Sequence, residues 1–119
     1  MIQVAKEDVL KGLKKCKRLA KQALLASNLT DNPSYWNSQA ESRRETYDFL
    51  MKSIEEKGLE ETYLIASENY SKLNRIDLSS DPVKAGQKQA YEMFFTIIGK
   101  GYSTAKVEEY QSSPSIVVG

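Results

Sequence analysis

The chain has 119 residues, 40% of them apolar and 28% charged, with 17 basic and 16 acidic side chains, a single cysteine at Cys16 and no histidine. Such a chain is expected to form one globular domain with a working core, since it is too short to divide readily and no apolar run approaches the roughly 18 residues a membrane span needs. The composition excludes an internal disulfide and every catalytic or metal arrangement built on imidazole.

The opening MIQVAKEDVL lacks the cationic-then-apolar order of a secretory signal, so the expected compartment is the cytoplasm. The first predicted helix covers residues 6–27. At 100° per residue, Val9, Leu13, Cys16, Ala20, Ala23 and Leu24 fall on one side. Seven of the first 21 residues are Lys or Arg, against Glu7 and Asp8. Lys11, Lys14, Lys15, Arg18 and Lys21 gather opposite the apolar side and form a candidate basic binding face. A face of this kind either neutralises phosphates, meets an acidic protein or is simply the solvated side of a helix. No aromatic residue interleaves with the lysines, and lysine reads bases poorly, so the solvated side of a helix is the first expectation for this face, ahead of phosphate or an acidic protein.

After NLTDNPSYW, Asn32 followed by Pro33 starts a second helix: Asn caps orphan amides, and proline at the first helical position loses no hydrogen bond. Its apolar stripe is Trp36, Ala40, Tyr47, Leu50, Met51 and Ile54, and Gly58 is its C-cap. An outward row of Glu41, Glu45, Asp48, Glu55 and Glu56 makes a candidate acidic face. Residues 26–80 carry six basic against ten acidic side chains, so the chain is polarised. Both faces are expected first of all to be solvated; otherwise the basic and acidic helices pair along their flanks within the fold or steer copies together. Arg43 lies inside the apolar stripe and is the one candidate buried charge. Its guanidinium is expected to stack on Trp36 or Tyr47, to pair with Glu68, or else to hold an anionic ligand.

A third helix is predicted over residues 59–75, with Leu59, Tyr63, Ala66, Tyr70 and Leu73 aligned. The run EEKGLEE before and within it concentrates carboxylates; Glu60 and Glu61 suit a helix N-terminus, whereas Glu55 and Glu56 do not suit a C-terminus. It lacks the shaping loop of a calcium site, and no Gly-rich phosphate loop occurs anywhere, so no metal or cofactor is expected. Asp81-Pro82 repeats the Asn32-Pro33 device and opens a fourth helix carrying Val83, Ala90, Phe94, Ile97 and Ile98, which stops at the glycines of GKG. Gly12 and Gly86 stand near apolar stripes, where each is expected to permit a close helix crossing. Leu64, Ile65 and Phe95 lie off the core stripes and form a candidate apolar interface.

The expected fold is therefore all-α: a four-helix up-and-down bundle over residues 1–102 with a C-terminal extension, 103–119, whose Ser103 opens a short helix and whose IVV is a strand or a docked end. As a helix-turn-helix, the turn before Ser103 is a weak match with Lys106 as its only cation. Cys16 has no imidazole to activate it and is expected in the core. With no chemistry specified by any motif, the expected function is a non-catalytic protein-interaction or adaptor module that binds a protein or a second copy as a homodimer. The alternative is a nucleic-acid-binding accessory protein using the first helix.

Overall fold

Asn32 and Asp81 start their helices by the same means. Asn32 Oδ1 accepts the Tyr35 amide at 3.3 Å and Asp81 Oδ1 accepts the Lys84 amide at 3.1 Å, and each is followed by proline, whose missing N–H costs nothing there. In a computed structural model, which describes residues 4–73 and 80–99, these caps open α2 (Pro33–Lys57) and α4 (Pro82–Gly99). Upstream of α2 lie α1 (Lys6–Leu25) and a 3-10 turn (Ser27–Leu29); α3 (Leu59–Leu73) follows it. Gly58 alone joins α2 to α3. Its φ of 92° is closed to most side chains, and its amide donates to the Ile54 carbonyl at 2.9 Å, ending α2.

α1 closes at Leu25, short of the predicted residue 27. Ser27 Oγ donates to the Leu24 carbonyl at 2.8 Å and Ser27 itself opens the 3-10 turn, so a side chain takes over where the helix would have continued. Successive helices run antiparallel: Lys17 meets Asp48 while Ser27 meets Asn37, Gly58 turns the chain back so that Ser53 meets Thr62, and Tyr63 packs on Phe95 while Asn69 meets Tyr91. The fold is an all-α bundle of four helices, with no strand among the described residues.

The core is built from Val9, Leu13, Cys16 and Ala20 of α1, Tyr47, Leu50 and Ile54 of α2, Ala66 and Leu73 of α3, and Ala90, Phe94 and Ile97 of α4. Three predicted core positions differ. Trp36 is 44% exposed, because α1 has ended before it reaches the first turn of α2, and its ring stands edge-on to Tyr35 at 4.9 Å instead. Tyr63 and Val83 are also turned outward.

The helices are not spaced as a square. α2 packs as extensively on α4 as on α1, while α1 barely touches α4 and α3 packs more lightly on both α2 and α4. The α2–α4 pair is therefore the closed diagonal of a skewed section, with α1, held almost wholly by α2, on one side of it and α3 on the other. The diagonal closes because Gly86 has no side chain: a Cβ there would overlap the Gln39 carbonyl oxygen and lie 2.9 Å from Ser42 Cβ. This is the close crossing expected of Gly86. Gly12 is less tightly held, facing only the Ile97 side chain, whose Cδ1 would lie 3.2 Å from an added Cβ.

The diagonal is polar as well as close. Ser42 Oγ donates to the Val83 carbonyl at 2.5 Å, Gln39 Nε2 to Gln89 Oε1 at 2.6 Å and Thr46 Oγ1 to the Ser42 carbonyl at 2.9 Å. Ser53 and Thr62 share a hydrogen bond at 2.7 Å beneath the Gly58 turn. Among the described residues no buried side-chain nitrogen or oxygen lacks a partner, so these groups are covered without an unmet desolvation cost.

Candidate functional site

α1 and α2 leave an open groove of about 820 Å³ along their outer edge. Lys11, Lys14, Arg18 and Lys21 of the predicted basic face line it from α1, and Lys52 faces them from α2. Lys15 does not line it, because four residues on a helix leave it rotated about 40° past Lys11, away from α2. The floor is apolar. Leu10 and Met51 are half-buried, packed against the core below and open to the groove above.

Seven cations and three carboxylates line the groove, so its field is positive. Two of those cations are neutralised locally. Lys17 Nζ meets Asp48 Oδ1 at 2.8 Å across the helix pair, and Arg44 meets Glu41, just outside the lining, at 2.9 Å. The hydrogen bond from Lys17 holds the Asp48 carboxyl below its ordinary pKa, and that from Arg44 does the same for Glu41. Lys11, Lys14, Arg18, Lys21 and Lys52 make no ion pair among the described residues.

The predicted acidic row is thus divided by the fold. Glu41 and Asp48 are engaged in intramolecular pairs, the flank pairing that the sequence allowed. Glu55 lines the groove, Glu45 edges a small recess beside Phe49 and Tyr91, and Glu56 is exposed. Among the described residues, which include all of EEKGLEE, no three acidic or thiol groups converge as a metal site.

Arg43 is mostly buried between α2 and α1, and burial pushes its pKa down, opposed by the nearby Tyr47 and Cys16. Neither Trp36 nor Glu68 is its partner: Trp36 packs on Tyr35, and Glu68 lies 3.9 Å from Lys72. Its Nε donates instead to Gln39 Oε1 at 3.1 Å, joining the polar diagonal one turn back along α2. No carboxylate pairs with it among the described residues.

The candidate apolar interface is not one patch. Phe95 sits edge-on to Tyr63 at 5.9 Å and to Tyr70 at 5.3 Å, forming an aromatic wall between α3 and α4 around a hollow of about 430 Å³. Leu64 points outward, 61% exposed, and Ile65 falls on the flank of α3 away from Tyr63 and Tyr70. Ser103, IVV, Lys106 and the domain boundary at residue 102 lie outside the described residues.

Sequence reasoning missed the groove's floor and far wall. The signal was present in the spacing: Leu10, Lys14, Lys17 and Lys21 recur at four, three and four residues, the flank of α1 that meets α2. No described helix is long and apolar enough to cross a membrane. Comparison with protein-family models, curated proteins and solved structures finds no match to this chain.

Proposed function

We propose that the protein is a non-catalytic interaction module whose binding surface is the α1–α2 groove. The observation that carries this is the combination of an apolar floor, Leu10 and Met51, with unpaired cations on both walls. A helix with an apolar stripe and acidic flanks matches both features at once, the floor supplying burial and the walls orientation. The groove suits phosphate less well. A nucleic-acid backbone has no apolar stripe to lay on Leu10 and Met51 and would leave that floor unused.

Native mass spectrometry of the protein recovered from its own cells, beside a Lys14→Glu/Arg18→Glu variant, tests this. A protein that travels with the wild type and is lost from the variant supports the reading. Nucleic acid bound at physiological salt, and released by the same variant, would replace it with the second reading, an accessory nucleic-acid-binding protein.

A further inference from the structure

We propose that the occupant of the α1–α2 groove is the outer face of α3 on a second copy of this chain, in a head-to-tail contact. The inference rests on the groove being a protein-docking surface and names the partner. Three observations lead to it. The outer face of α3 carries Glu61, Leu64 and Glu68, spaced by three and four residues on one side of the helix. Leu64 is 61% exposed, and the Glu68 side chain is 72% exposed with only a long 3.9 Å approach to Lys72. An apolar side chain between two carboxylates is the complement of an apolar floor between two rows of cations.

The skewed section decides between intramolecular and intermolecular pairing. α1 and α3 stand on opposite sides of the α2–α4 diagonal, so the two surfaces cannot meet within one copy. Between copies they can, with Leu64 lying over Leu10 and Met51 while Glu61 and Glu68 meet Lys14, Arg18 or Lys52. The contact uses different surfaces on the two partners. Each copy keeps one groove and one α3 face open, so association continues past the dimer unless a ring closes. This differs from a two-fold dimer, in which the same patch would meet itself.

Sedimentation velocity of the full chain across concentration and salt tests the proposal. The weight-average mass of the wild type should rise with concentration at low salt, pass that of a dimer, and fall as salt is added. Lys14→Glu/Arg18→Glu and Glu61→Lys/Glu68→Lys should each weaken association about tenfold or more, and mixing the two variants should restore it, since each keeps the surface the other has lost. Leu64→Ser, which changes no charge, should weaken it about tenfold through the lost apolar contact while leaving far-ultraviolet circular dichroism unchanged. A wild-type chain that stays monomeric to about 1 mM overturns the proposal, as does association indifferent to these variants or a mixture that remains dissociated. If the wild type is monomeric but a different protein is still lost on Lys14→Glu/Arg18→Glu, the second copy is the wrong occupant and the groove remains a docking surface. If duplex DNA at physiological salt occupies the groove instead, both are wrong.

Discussion

Gly86 of α4 rests directly on the backbone of Gln39 in α2, with no room between them for a methyl group. Backbone is the obstacle, so relief requires the two helices to separate. Gly86→Ala should therefore destabilise the fold by about 2–3 kcal/mol, despite alanine's better helix propensity. Gly12→Ala meets only the end of the Ile97 side chain, and its propensity gain and packing strain should nearly cancel, leaving it within about 1 kcal/mol of wild type. Urea unfolding of the two variants checks the contrast. Equal effects would mean that the diagonal is not held by this crossing.

Cys16 is 1% exposed, inside the face that α1 buries. A polar thiol reagent should modify it only through opening of the fold, so the native labelling rate should rise with urea in step with unfolding. Fast labelling in native buffer would show that α1 is turned differently.

Arg43 keeps a guanidinium largely out of water with one neutral hydrogen bond to Gln39. Burial lowers its folded pKa below the unfolded value. The guanidinium is charged in both states at neutral pH, so by linkage its burial is a cost there, one that disappears only where strongly alkaline pH removes the charge. Arg43→Met keeps the packing of the stem and removes the charge. Its midpoint of thermal unfolding should equal or exceed that of wild type. A loss of several degrees would mean that the charge has a stabilising partner that the described residues do not include.

The Lys17–Asp48 and Arg44–Glu41 pairs give a weak acid dependence. Both carboxyls are lowered, first through the hydrogen bond from their cation. Their contribution is present above the unfolded value near pH 4 and disappears as pH falls through the lower folded value. The Asp48 side chain is 46% exposed, so solvent screening keeps the effect of Lys17→Met below about 1 kcal/mol at pH 7. Thermal unfolding of wild type and Lys17→Met should differ least at the acid end of the titration, once pH has fallen below the lowered folded value and the carboxyl is protonated in both states. A difference that grows on acidification contradicts this account.

What the sequence made legible was mostly local. Asn32-Pro33, Asp81-Pro82 and Gly58 act within one turn of themselves, and all three do so as read. The buried face of α1 was equally plain, because that helix packs along one side and its stripe is apolar. α2 was harder. It buries one face against α1 and a second against α4 and α3, and the second includes Gln39, Ser42, Thr46 and Ser53, which look like surface residues until their partners are known. The basic face could be seen, but not the groove, since Met51 and Lys52 belong to it only once α2 lies beside α1. Leu64 and Phe95 looked alike in sequence; their fates differ because Tyr63 and Tyr70 stand next to only one of them.

An interface of methyl groups tolerates sliding, because one aliphatic contact replaces another at little loss. The α2–α4 diagonal does not. Moving α4 along α2 by a single residue would leave Gln39, Ser42 or Gln89 facing the wrong atom and would carry Gly86 out of its notch, putting a larger side chain against the Gln39 carbonyl. The diagonal thus acts as an alignment key. It fixes the height of α4, and with it the level at which Phe95 enters the aromatic wall between Tyr63 and Tyr70, whose own helix is held to α2 by Gly58 and the Ser53–Thr62 bond.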